Sequence, residues 1–227
     1  MNKDNIPFEK IIHQIWIGPL KRPVELMDSW KTMNPDCKYM LWNEDEIKKH
    51  FPNGLFNQKL YDSDIPYCGK ADILRYEILY KFGGFYADAD SKALRPLDSE
   101  LFNHDLFTCY TADPEIKKGA YYGNCFCGAK KGSRIMKELI KHISKLPNNT
   151  KVTTGNCYII LGPALFTNVI NKWIETKLFD IVIFPHYYFI PVHYNPNITK
   201  QYKFDKRIPY STHLWGTTHG TPFNYKK

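Results

Sequence analysis

The feature that most narrows the fold is a change of period near the middle of the chain. Over residues 69–82, apolar Ile73, Leu74, Ile78, Leu79 and Phe82 recur at helical spacing, and Gly83-Gly84 stops the run. Phe85-Tyr86-Ala87 then reads as a strand running straight into Asp88-Ala89-Asp90. The same alternation extends along the chain. A β-branched strand, Ile11 to Ile17, closes at Gly18-Pro19, and residues 24–33 suit a short helix. A strand follows at 38–42. Asn43 with Glu46 three positions on marks a helix start for 44–51. Strands are expected at 106–111 and 121–129, helices at 133–145 and 163–176, and a strand at 181–184. The segment from Tyr187 is aromatic, Pro-rich and His-rich, with no clear period. Strands alternating with helices argue an α/β fold with a largely parallel central sheet flanked by helices. At 227 residues this is one large domain, long enough to bury a core.

Composition excludes several classes. With 43% apolar and 24% charged residues the chain is neither disordered, collagenous nor coiled coil. No window approaches 18 consecutive apolar residues, and residues 1–10 lack the apolar stretch of a secretory signal. A formal charge of +8 favours an anionic partner, either a phosphorylated small molecule or a membrane surface touched peripherally. The lysines are scattered rather than gathered into a basic block, so no nucleic-acid partner is expected. The six cysteines form no CxxC pair and read as free thiols of a cytoplasmic protein.

The sharpest chemistry sits at the end of the central strand. Asp88 and Asp90 lie two apart at the carboxyl end of 85–87, the edge where open α/β sheets bind ligands. In an extended strand both would point to one side, and two like charges so close call for a cation. A divalent ion carrying diphosphate oxygens meets that need, and so does a plain solvated turn. Upstream, Asp72 and Arg75 share one helix face at i and i+3. Arg75 offers a planar fork for phosphate or hydroxyl groups, and Asp72 an acceptor for sugar hydroxyls. An intrahelical ion pair accounts for the same two residues.

The block from Gly69 to Asp90 resembles the DXD sugar-binding region of glycosyltransferase family 32, a group that includes initiating α-mannosyltransferases and α-1,4-galactosyltransferases. It is also similar to the catalytic core of the large clostridial glucosylating toxins. The opening Ile12-His13-Gln14-Ile15-Trp16-Ile17-Gly18 matches the family's first strand, with Trp30, Pro35 and Trp42 following in order. The resemblance is dense over residues 10–100 and patchy beyond, at Asn124, Leu161-Gly162-Pro163 and His213. It implies a single GT-A-like domain over residues 1–227. Residues 10–100 would form the nucleotide-sugar half, and 101–227 the acceptor side and tail.

The resemblance further implies the residue roles. Trp16 would stack on the base, Asp72 and Arg75 would hold the donor sugar, and Tyr86 would line the ribose side. Asn124 would join the donor site. Asp88 would touch ribose or sugar hydroxyls and reach the metal, Asp90 would bind Mn2+ or Mg2+ directly, and His213 would be a ligand to metal or diphosphate. Asp88, Asp90 and Arg75 form the expected catalytic set. The tail keeps one histidine at His213, with Thr218-His219 where the family has Ser-Trp. The implied reaction is retaining transfer of a hexosyl unit from a UDP- or GDP-sugar to a glycan, lipid-linked or protein acceptor, as in polysaccharide biosynthesis. The implied setting is the cytoplasm of a bacterium or of a virus-infected host. Two other readings compete: a non-enzymatic carbohydrate- or nucleic-acid-binding module, and a DxD-type Mg-dependent phosphatase. The second needs later acidic pairs that do not occur.

Overall fold

Each strand lies where an apolar, β-branched or aromatic run is bounded by turn residues, and each long helix where apolar residues recur at helical spacing. The computed structural model describes residues 7–202 and 208–216. In chain order these give β1 (Ile11–Ile15), α1 (Val24–Met33), β2 (Lys38–Trp42), α2 (Glu44–His50), α3 (Gln58–Tyr61) and α4 (Tyr67–Phe82). Next come β3 (Gly84–Ala87), β4 (Ser91–Ala93), β5 (Leu106–Tyr110), β6 (Tyr122–Ala129), α5 (Arg134–Ser144) and α6 (Cys157–Ile160). The last are α7 (Pro163–Thr176), β7 (Ile181–Phe184), α8 (Pro196–Thr199) and β8 (Ser211–His213).

Six strands form one sheet in the order β2-β1-β3-β6-β5-β7. The pairs β1–β2, β1–β3 and β5–β7 are parallel, while β6 runs antiparallel to both β3 and β5. Five strands therefore share one direction and β6 alone opposes them, so the sheet is mostly parallel, as expected. Both faces are covered. Tyr86, Leu106 and Cys127 face a core with Leu79, Leu139 and Phe166 from α4, α5 and α7. Phe85, Phe107 and Phe126 face a second core with Trp30, Phe189 and Tyr210. Alternate residues of one strand feed opposite cores, which is why β3 and β6 are buried throughout.

The helix-to-strand switch works through the two glycines. Gly83 has φ +66 and Gly84 φ +97, and a Cβ at either would lie 2.6 Å from backbone, of Lys131 and Ile11 respectively. Only glycine allows both the left-handed turn and the close approach, so α4 can reverse at once into β3. The first strand is shorter than expected: β1 ends at Ile15, and the chain leaves the ladder toward Gly18 at φ +89. The tail supplies a strand that periodicity did not reveal. β8 pairs antiparallel with β4, setting His213 opposite Ser91.

Candidate active site

The turn after β3 is held by backbone and side chains from several distant segments. Asp88 N–H donates to Cys125 O at 2.9 Å, continuing the ladder with β6. The Asp88 carbonyl accepts from Gln14 Nε2 at 3.2 Å, from Ser91 N–H at 3.2 Å and from the Ser91 hydroxyl. Ser91 Oγ in turn accepts from Trp30 Nε1 at 3.0 Å, and Gln14 is oriented by Tyr39 OH at 2.8 Å. With its main chain saturated, the turn presents its carboxylates in one geometry.

Arg75 ties the helix to the turn. Its Nη2 lies 3.3 Å from Asp72 Oδ1 and 3.1 Å from Asp88 Oδ1, and its Nη1 donates to Asn124 O at 2.8 Å. The guanidinium stands 4.5 Å from the Tyr86 ring centre, and Tyr86 OH donates to Asp88 Oδ1 at 2.8 Å. Asn124 Nδ2 donates to Asp72 Oδ1 at 2.8 Å and to Tyr76 OH at 3.0 Å. The i,i+3 pair is thus a buried network rather than a surface ion pair, and the fork is already engaged by the protein's own acceptors. Burial, with Asp88 nearby, pushes the Asp72 carboxyl up to about 6 against the pull of Arg75. At Asp88 burial acts upward too, but Arg75 and His213 outweigh it and leave the carboxyl below the usual range.

The tail completes the site. Leu214 N–H donates to Asp90 O at 3.0 Å, and Gly216 N–H to Asp90 Oδ2 at 2.8 Å. This brings His213 Nε2 within 3.1 Å of Asp90 Oδ1 and 3.4 Å of Asp88 Oδ2. Burial alone would lower the imidazole, but the two carboxylates hold it up at about 10. His213 Nδ1 is buried with no hydrogen-bond partner. One oxygen from each aspartate therefore faces the same imidazole nitrogen, whose proton supplies the positive charge between them; a cation taking that proton's place would meet two carboxylates and one imidazole. That donor set suits a hard divalent ion. Cys125 Sγ also lies in this cluster, with ligand atoms of Asp88, Cys125 and His213 within 4.8 Å of one another. Burial pushes its thiol far up, so it stays protonated and is a poor partner for such an ion.

A cavity of about 750 Å3 opens beside these groups. Asp72, Arg75, Asp88, Asp90, Asn124 and His213 line it, so six of the eight expected site residues meet at one mouth. Two do not line it. Trp16 stands just beyond β1, its indole Nε1 donating to Leu20 O at 2.8 Å, outside the cavity wall. Tyr86 is 1% exposed and lies beneath Asp88, so it supports the carboxylate instead of lining a ribose pocket. The Thr218-His219 pair lies outside the described residues. Gln14, Trp30, Ser91 and Trp215 escaped the sequence reading as site residues. Gln14 and Ser91 bond the Asp88 carbonyl, Trp30 bonds Ser91, and Trp215 packs edge-on against His213 at 4.6 Å. Gln14 and Trp30 fall within the family-like segments, and that was their only signal.

Residues 21–108 match the family described as "Glycosyltransferase sugar-binding region containing DXD motif". Inositol phosphoceramide mannosyltransferase 3 of Schizosaccharomyces pombe is 26% identical over 173 residues, covering 72% of this chain and 45% of its own. The uncharacterized glycosyltransferase L373 of Acanthamoeba polyphaga mimivirus is 28% identical over 209 residues, covering 88% and 77%. The chain thus spans less than half the length of the yeast relative. Among solved structures, the PaToxG glycosyltransferase superposes with a TM-score of 0.58 at 19% identity, covering 74% of this chain and 71% of that one, a likeness of fold.

Proposed function

Taking residues 21–108 as a DXD-type sugar-binding region, we propose that the chain is a retaining glycosyltransferase. It moves a hexosyl unit from a UDP- or GDP-sugar to a glycan, lipid-linked or protein acceptor. The observation that carries this reading is that Asp88 and Asp90 both face His213 Nε2 at the mouth of the cavity. The mannosyltransferase relative favours mannose as the sugar and a phosphorylated lipid headgroup as the acceptor. No helix among the described residues is long and apolar enough to cross a membrane.

A divalent ion, Mn2+ or Mg2+, held by Asp88, Asp90 and His213 would supply Lewis-acid neutralisation of the diphosphate leaving group. The chain's own residues do the positioning. Asp72 accepts hydrogen bonds from the donor sugar's hydroxyls, while Arg75 and Asn124 fix its carboxylate. Arg75 also sets the Asp88 carboxylate, whose far oxygen faces His213. Gly216 N–H and His213 fix both oxygens of Asp90. Trp16, at the end of β1, stacks on the nucleobase outside the cavity. Tyr121, Tyr158 and Tyr194, which line the same cavity, are left for the acceptor. Among the described residues, no carboxylate beyond Asp72 and the paired aspartates lines the cavity. Transfer then follows a same-face route in which the departing phosphate takes the acceptor's proton, and positioning with charge stabilisation carries the rate.

The test is metal-dependent hydrolysis of nucleotide sugars, which a transferase leaks to water and a binding module does not. Asp90→Ala is expected to abolish it and Asp88→Asn to reduce it at least a hundredfold, as loss of about 3 kcal/mol of charge stabilisation implies. Full turnover in Asp90→Ala ends the reading.

A further inference from the structure

Two of the six cysteines stand apart from the rest. Cys109, Cys125 and Cys127 are buried in the sheet, where burial pushes their thiols well up. Cys37 lies outside the cavity, and burial raises its thiol too. Cys68 and Cys157 both line the cavity, where their thiols are neighbours. Cys68 is in the first turn of the 16-residue α4 and is partly exposed, while Cys157 opens α6 and is 3% exposed. Gly69 brings the two segments together: a Cβ there would lie 3.2 Å from Cys157 Sγ and 3.2 Å from a Leu161 methyl. The neighbouring Cys157 thiol, with backbone N–H groups of the helix start, holds the Cys68 thiol below its usual value. Cys157 is held above it, first by Cys68 and then by burial. By exposure, Cys68 is the reachable member and Cys157 the buried one, the division of labour of an attacking and a resolving thiol.

We propose that Cys68 and Cys157 are a redox-active dithiol at the cavity wall, closed to a disulfide by a peroxide and reopened by a thiol reductant. The Cys68 thiol releases its proton to solvent, the thiolate attacks a peroxide oxygen, the O–O bond breaks, and the leaving hydroxide takes up that proton equivalent from solvent to become water. Cys157 sulfur then attacks the resulting sulfenic sulfur, the S–O bond breaks, and the hydroxyl departs as water with the Cys157 proton. Two thiols and one hydrogen peroxide become one disulfide and two waters. Closure has a consequence for the site. Cys157 S–H lies 3.5 Å from Asp72 Oδ2, and the disulfide removes that donor from a buried carboxylate that already sits in tension with Asp88. Resting on the donor-sugar role proposed for Asp72, oxidation is expected to weaken nucleotide-sugar binding roughly fivefold, as loss of one weak hydrogen bond implies.

The experiment treats the intact protein with hydrogen peroxide, blocks remaining thiols with N-ethylmaleimide, and reads intact and peptide masses. The expected result is a loss of two hydrogen masses, four blocked thiols, and a 68–157 cross-linked peptide that dithiothreitol releases. In Cys157→Ser the reaction is expected to halt at a Cys68 sulfenic acid trapped by dimedone, and Cys68→Ser is expected to form no cross-link. Six blocked thiols, over-oxidation without a cross-link, or a cross-link through any other cysteine overturns the proposal. Calorimetry of reduced and oxidised protein with nucleotide sugars and Mn2+ then reads the coupling. Equal affinity of the two forms overturns the link to Asp72. Binding to neither form counts against the transferase reading, while the mass data decide the dithiol by themselves.

Discussion

Replacing Arg75 with methionine removes the guanidinium that Asp72 and Asp88 share. Its Nη2 lies 3.3 Å from Asp72 Oδ1 and 3.1 Å from Asp88 Oδ1, with side-chain exposures of 8% and 23% for the two acids. At an effective dielectric near 20, each attraction is worth ~5 kcal/mol before desolvation is subtracted. Desolvation cancels much of this, and removing one partner of a buried pair costs about 3–5 kcal/mol because the other charge is stranded. For a chain of this length, that corresponds to a fall in Tm of about 6–20 °C, read by thermal and urea denaturation. Asp72 is the more buried acid, so adding Asp72→Asn to Arg75→Met should recover about 1–2 kcal/mol, a coupling expected of residues in contact. Arg75→Lys should not restore stability, since a single ammonium cannot reach both aspartates and the Asn124 carbonyl together. An Arg75→Met protein that melts within about 2 °C of the parent would refute the reasoning. The guanidinium would then be free for a ligand instead of holding the cluster together.

Three other measurements probe the frame. His13 Nε2 donates to Gly83 O at 2.8 Å and its Nδ1 accepts from Trp42 Nε1 at 3.0 Å, so the ring must stay neutral, and burial lowers it from 6.5 to about 4. The unfolded chain binds the proton first, so this group's contribution is intact above pH 6.5. About 3 kcal/mol of it should be lost as pH falls to 4, visible in urea midpoints with ring nitrogen shifts that stay neutral to below pH 5. Gly128→Ala would set a methyl 2.3 Å from the buried Phe107 ring and should destabilise by about 1–3 kcal/mol in a thermal melt. Ser91→Ala deletes the hydroxyl that joins Trp30 to the Asp88 carbonyl; it should cost about 1–2 kcal/mol and loosen Mn2+ binding measured by calorimetry, whereas unchanged affinity would show that the turn needs no such brace.

Much of the frame was legible because its signals are local. The glycine pair, the Asn43 cap that accepts from Glu46 N–H at 2.9 Å, and the apolar runs of β1, β3 and β6 each act within a few residues. The contiguous block from Gly69 to Asp90 brought Asp72, Arg75, Asp88 and Asp90 to notice together, and it carries the resemblance to known sugar-binding regions. Their pairing was another matter. Arg75 read as a fork open to a ligand, yet its donors are taken up by Asp72, Asp88 and Asn124, because α4 is buried from all sides and its polar groups must find partners inside.

The strand that delivers His213 has three residues, too few to show any period. Its contact with Asp88 spans 125 positions, so nothing nearby in the chain announces it. Composition and periodicity therefore determined the layers and the carboxylate edge by themselves, since backbone preference and turn chemistry depend on neighbours in the chain. Which charges neutralise one another, which aromatics support rather than bind, and which thiols touch were decided only by tertiary structure, since burial and distance belong to the folded chain.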